Sequence, residues 1–142
     1  MSLYLDASVL VASLTEEART REARQLIAAY DRFDIALSSW TLVETLSGLS
    51  KKVRTGDLTS ADFEVLSGQV HTLPNSFSRT PVSEEHLLSA MRLVRSLSTG
   101  LRAGDALHLA IAADFNLTLA TFDKGLEAAA AMVGVSVLQT PA

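Results

Sequence analysis

The chain of 142 residues suits one domain of ordinary size, and its 48% apolar content allows a core without disulfides or a structural metal. With no cysteine, thiol catalysis, zinc–thiolate centres and iron–sulfur clusters are excluded together. Twelve Lys and Arg against sixteen Asp and Glu give a formal charge of −4, the wrong sign for gripping nucleic acid through a basic surface. A polyanionic substrate would therefore need bound cations to reverse the field locally.

Leu3-Tyr4-Leu5 reads as a short buried strand, and Val9-Leu10-Val11 suggests a helix soon after Asp6. Residues 16–31 place Ala23, Leu26, Ile27 and Tyr30 at helical spacing. Ile35-Ala36-Leu37 is a second strand, followed by a helix over 40–53 that Thr55-Gly56 ends. Thr59-Ser60-Ala61-Asp62 opens another helix, with Phe63, Leu66 and Val70 on one face. Pro74 and Asn75 break the pattern, and Ser78-Arg79-Thr80 is a weak third strand. Ser83-Glu84-Glu85 starts a helix with Leu87, Ala90, Met91, Val94 and Leu97 in register, ended by Ser98-Thr99-Gly100.

Residues 103–115 form the most apolar helix, and the longest apolar run, near 106–113, is interrupted by His108 and is far too short for a membrane span. Leu117-Thr118-Leu119-Ala120 is a strand, 124–133 an alanine-rich helix, and Val135-Ser136-Val137-Leu138 a last strand. Short strands separated by helices imply an α/β domain over 1–142, an open parallel sheet covered on both faces. Asp6 interrupts the first apolar residues and no basic segment precedes them, which argues against a secretory signal and for a cytoplasmic protein.

In open parallel sheets, sites lie beyond the carboxyl ends of the strands, where strand order switches. Asp6 directly follows the first strand, and Glu44 lies in the first turns of the helix after the second. Asp105 opens the buried helix, and Asp123 follows the next strand. Each acid has a plain structural role open to it. Asp6 and Asp123 suit helix N-caps, Thr41-x-x-Glu44 matches a capping box, and Asp105 suits the positive end of a helix dipole. Capping does not, however, require four acids at one sheet edge. Two carboxylates about 5 Å apart repel by roughly 3 kcal/mol at an effective dielectric near 20. A cluster of four needs compensation, and all-oxygen ligation suits Mg²⁺ or Mn²⁺. Such ions activate water and stabilise a leaving oxygen in phosphodiester hydrolysis.

Other chemistries fit less well. His71, His86 and His108 lie on separate predicted helices without metal-ligand spacing, and are expected to be ordinary surface or partly buried residues. No dinucleotide-binding, phosphate-loop or Gly-x-Ser-x-Gly pattern occurs. Trp40 could stack a base, or cover core or a subunit interface.

The segments Tyr4-Leu5-Asp6-Ala7-Ser8-Val9-Leu10, Leu42-Val43-Glu44-Thr45-Leu46-Ser47, Leu101-Arg102-Ala103-Gly104-Asp105-Ala106-Leu107-His108 and Thr121-Phe122-Asp123 are similar, in order and spacing, to the signature segments of PIN-domain ribonucleases. Among these, the chain most resembles the VapC-type toxins of bacterial toxin–antitoxin pairs. The resemblance implies a three-layer α/β/α fold with a parallel sheet of about five short strands. It implies Mg²⁺- or Mn²⁺-dependent endoribonuclease activity, with Asp6, Glu44, Asp105 and Asp123 as the catalytic metal-binding acids. Ser8 and Thr121 match supporting hydroxyls beside the first and last acids, while Ala7 departs from the Thr or Ser often found at its position. Arg102 is assigned either to RNA phosphate or antitoxin, or to an ion pair with one of the acids. Implied partners are an RNA substrate, a small cognate antitoxin and a second copy of the chain in a homodimer, with no membrane.

A competing class is a non-catalytic receiver-like or PIN-like interaction module with an acidic pocket. Receivers need a phosphoaccepting Asp after a middle strand and a late Lys. Lys124 is available, but no third-strand Asp is evident. A haloacid-dehalogenase-type phosphatase would carry a second Asp where Ser8 stands.

Overall fold

A computed structural model describes residues 2–139; Met1 and residues 140–142 of the expected domain lie outside the described residues. The main elements are β1 (Leu3–Leu5), α1 (Ala7–Leu14), α2 (Thr20–Ala28), β2 (Ile35–Ser38), α3 (Ser39–Arg54), α4 (Ser60–Thr72), β3 (Ser78–Thr80), α5 (Glu84–Arg95), α6 (Ala103–Asp114), β4 (Thr118–Ala120) and α7 (Lys124–Val133). Among the described residues, four strands form one parallel sheet in the order β3-β2-β1-β4. The strand order therefore reverses between β1 and β4, with Leu5 paired to Ala120 at the carboxyl end.

Strand alternation sorts the core onto the two faces of the sheet. Tyr4, Ala36 and Leu119 join one cluster with Leu107, Leu109 and Ile111 of α6 and Leu126 of α7. Leu3, Leu5, Ile35 and Leu37 join the other with Val9 and Leu10 of α1 and Leu26 of α2. Both faces are covered, which is why the strands read as continuous apolar runs. The result is the expected three-layer α/β/α arrangement. α3 approaches α1 closely at Gly48, where a Cβ would stand 3.0 Å from Val11 Cγ2.

Several expectations need correction. The anticipated fifth strand shrinks to a single parallel bridge, Leu119 with Val137, flanked by Leu119 N–H to Ser136 O and Leu138 N–H to Leu119 O, both 2.8 Å. Helix α2 begins at Thr20 rather than at 16. Most of the apolar register read over α5 faces outward. Leu87, Met91, Val94 and Leu97 are exposed, whereas His86 and Ala90 point inward. In α4, only Val70 is buried. No helix among the described residues is long and apolar enough to cross a membrane.

Candidate functional site

Asp6 leaves β1 at the reversal of strand order and caps α1. Its Oδ1 accepts from Ser8 N (3.1 Å), Ser8 Oγ (2.6 Å) and Val9 N (3.4 Å), and its Oδ2 from Thr121 Oγ1 (2.6 Å). Burial raises its carboxyl above the ordinary range, while the hydroxyls of Ser8 and Thr121 pull the other way. Those hydroxyls also link the two loops. Ser8 Oγ accepts from Phe122 N at 2.9 Å, and Thr121 Oγ1 accepts from Asp123 N at 3.0 Å. Asp123 in turn caps α7 through Gly125 N (2.8 Å) and Leu126 N (3.1 Å).

Asp105 stands in the first turn of α6. Burial raises its carboxyl, and the neighbouring charges of Asp123 and Glu44 push the same way against Arg102. The guanidinium of Arg102 lies 3.8 Å from Asp105 Oδ2 and 3.9 Å from Asp123 Oδ2, offsetting part of their repulsion from an exposed position. Arg102 thus bridges Asp105 and Asp123, and Glu44 Oε2 stands beside Gly104, the residue before Asp105. Asp6 joins them through Thr121 and the Asp123 loop.

Glu44 does not form the capping box expected with Thr41. Ser38 caps α3 instead, its Oγ accepting from Thr41 N at 3.1 Å. Glu44 Oε1 is hydrogen-bonded to His108 Nε2, which corrects the expectation for that histidine: His108 is 1% exposed and turned onto a candidate site residue. The Nδ1 of the same ring lies 2.7 Å from the Tyr4 hydroxyl, which also meets Ser38 Oγ at 2.7 Å. Thr41 Oγ1 reaches both Tyr4 OH (3.3 Å) and Leu5 O (3.0 Å). Burial pushes the Tyr4 phenol up to about 12, so it keeps its proton at neutral pH. The signal in the sequence was an imidazole interrupting an apolar helix, which lacks meaning until Tyr4 and Glu44 are placed beside it.

Gly104 shapes the same wall. A Cβ there would stand 2.9 Å from Glu44 Oε2 and 3.2 Å from Trp40 Cζ2. Trp40 donates its indole N–H to Gly104 O at 3.2 Å, so it ties α3 to α6 rather than presenting a free stacking face. His86, also buried, serves elsewhere: its Nδ1 accepts from Ser83 N at 3.0 Å and its Nε2 meets Asp114 at 2.7 Å. His71 is exposed.

The chemistry of the donor set fits a hard divalent cation: four carboxylates, no sulfur, and an adjacent imidazole engaged by Glu44 and Tyr4. At their present rotamers, no three Asp, Glu or His side chains among the described residues stand close enough to share one ion. The receiver-like alternative loses ground here, because β3 runs into Pro81 and Val82 rather than an acid.

The PIN domain family matches residues 3–132, and the chain belongs to that family. No curated protein matches it in sequence. Solved structures with the same fold include VapC20 of Mycobacterium tuberculosis, described as a toxin that cleaves the sarcin–ricin loop. It is 21% identical over 99% of this chain and 100% of that one, with a TM-score of 0.78. FitAcB of Neisseria gonorrhoeae is 22% identical over 96% of each chain, with a TM-score of 0.76. VapBC2 of Rickettsia felis, solved on a DNA fragment from its promoter, is 17% identical over 99% of this chain and 100% of that one, with a TM-score of 0.68. At these identities the likeness concerns the fold.

Proposed function

We propose that the protein is a divalent-metal-dependent endoribonuclease acting in the cytoplasm as the toxin of a toxin–antitoxin pair. The observation that supports this reading is that Arg102 bridges Asp105 and Asp123, Glu44 Oε2 stands beside Gly104, and Thr121 ties Asp6 to the Asp123 loop, at the end of the sheet where strand order reverses. Family membership supports nuclease chemistry, and neighbours such as the Rickettsia felis VapBC2 complex support an antitoxin partner.

Asp6, Glu44, Asp105 and Asp123 would hold Mg²⁺ or Mn²⁺, which supplies charge neutralisation at the phosphate and activation of water. Ser8 and Thr121 fix both oxygens of Asp6 by short hydrogen bonds, so that carboxylate is oriented in advance. Asp105 and Asp123 share Arg102 as a counter-charge. The guanidinium is itself exposed, which suits it to an RNA phosphate or an antitoxin carboxylate. Protonated Asp105 is a poor ligand, and its raised carboxyl makes ion uptake weaken as pH falls. The exposed row Leu87, Met91 and Val94 on α5 is an apolar surface of the kind that partners cover, and the homodimer reading itself rests on the family resemblance.

The test is cleavage of a labelled RNA by purified wild type and Asp105→Asn with Mn²⁺, Mg²⁺ or EDTA. Cleavage by wild type alone, lost in EDTA and restored by either metal, is expected. Equal cleavage by both proteins, or cleavage in EDTA, overturns the reading. Expression of wild type should arrest growth, and expression of Asp6→Asn should not.

A further inference from the structure

His108 occupies the middle of α6, where Ala106, Leu107, Leu109, Ala110, Ile111 and Ala112 are all buried. An imidazole in such a place is costly unless both nitrogens are bonded, and a leucine would fill the same space without that demand. Both nitrogens are bonded here, to partners on two other elements: Tyr4 on β1 and Glu44 on α3. The partner at Nε2 is a carboxylate, which can only accept, so that nitrogen carries the proton. In the neutral ring Nδ1 is then an acceptor, matched to the O–H of Tyr4, which the Ser38 and Thr41 hydroxyls surround. The buried chain thus has one direction, from the start of α3 through β1 and α6 to a carboxylate that is about one-third exposed at the pocket.

Glu44 is thereby held through one of its two oxygens. His108 takes Oε1, while Oε2 lies against Gly104, the residue preceding Asp105, where no Cβ intervenes. Trp40 closes the same corner by its bond to Gly104 O.

We propose that His108 is a positioning residue for Glu44. Oriented by Tyr4, it occupies Oε1 so that Oε2 alone is presented to the pocket beside Asp105. This rests on the reading of Glu44 as a metal-binding acid. Arginine or lysine would neutralise the carboxylate from outside; an imidazole locked by a phenol holds its direction while leaving one oxygen free. Loss of such an outer hydrogen-bond partner typically weakens metal affinity by about 10–100-fold.

The experiment titrates Mn²⁺ alone into the purified full chain, by calorimetry or by the loss of its free electron-spin signal, with thermal melts to check folding. His108→Leu is expected to bind Mn²⁺ about 10–100-fold more weakly. His108→Gln, which keeps a donor near the Nε2 position, should retain most of the affinity, and Tyr4→Phe should show a smaller loss in the same direction. A long-range ¹H–¹⁵N spectrum of the histidines reads the tautomer directly and should show a protonated Nε2 at His108. Equal affinity in wild type and folded His108→Leu overturns the proposal, as does equal loss in the Leu and Gln variants. A ring protonated at Nδ1 only overturns it whatever the affinities are. Should wild type take up no Mn²⁺, the ribonuclease reading falls, and the tautomer still decides whether His108 holds Glu44. Should His108→Leu fail to fold, the Gln and Phe variants and the spectrum carry the decision.

Discussion

Two carboxylates at the pocket are held in opposite ways. Asp6 is 5% exposed and fixed largely by the helix it begins, through Ser8 and Val9, with one tie from Thr121 across the sheet. Glu44 sits inside a helix that Ser38 caps, and its hydrogen bond among the described residues comes from His108, 64 residues downstream. One oxygen of the first acid is oriented as soon as its own helix forms, and the other waits for Thr121. The second acid is oriented only when α6 docks against α3 and β1. Local bonding therefore makes Asp6 robust to distant change, and long-range bonding makes Glu44 sensitive to it.

The largest expected effect tests the robust side. Asp6→Asn removes a candidate ligand charge worth several kcal/mol in the transition state, or roughly a thousandfold in RNA cleavage. Cleavage rates on a labelled RNA, with circular dichroism to show an intact fold, check it. Next comes Thr121→Val, which deletes the bond to Asp6 Oδ2 and the acceptor for Asp123 N. Because α1 still holds Asp6, the loss in Mn²⁺ affinity should fall near the low end of the ~10–100-fold range for outer partners. A loss larger than that of His108→Leu would break the contrast drawn between the two acids.

Acid–base linkage sharpens the same contrast. The carboxyl of Asp6 is raised by burial, so the folded state binds its proton more tightly than the unfolded chain. Its contribution to stability is complete below the ordinary carboxylate pKa and is lost as pH rises through the raised value. Urea unfolding in EDTA should accordingly show stability declining with pH across that window. Asp6→Asn should flatten the decline and be more stable than wild type at neutral pH.

Smaller effects probe the Glu44 corner. Gly104→Ala should gain about 0.5–1 kcal/mol of helix preference. The close approach to Glu44 Oε2 and Trp40 opposes that gain, leaving stability near wild type while Mn²⁺ binding weakens. Arg102→Ala, at an exposed pair of long contacts, should change stability by no more than about 0.5 kcal/mol in thermal unfolding.

Legibility in the sequence follows the same division. β1, β2, β3 and α7 could be read from local runs, and the caps at Asp6, Asp123 and Thr59 from residue type and spacing. The hydroxyl pair Ser8 and Thr121 was readable from its family resemblance and stands beside Asp6. What failed was whatever depends on partners far along the chain. Thr41 and Glu44 satisfy the spacing of a capping box, yet Ser38 wins the helix start and His108 draws Glu44 away. The apolar register of α5 marks one face without saying what covers it, and most of that face is exposed. Val135 to Leu138 has the composition of a strand, but only Val137 finds a bridge at the β4 edge.

The double duty of Asp6 and Asp123 has a consequence for how this architecture can decay. Both begin helices, so replacing either with alanine forfeits a cap worth about 0.5–2 kcal/mol as well as any ligand. Glu44 and Asp105 start no helix, but Glu44 also satisfies the buried Nε2 of His108, so only Asp105 lacks a comparable scaffold duty. A descendant freed from selection for catalysis would be expected to shed Asp105 first and keep the cap acids. In related chains, an intact first aspartate is then weak testimony of a working nuclease, and the acid at the start of α6 is the better witness.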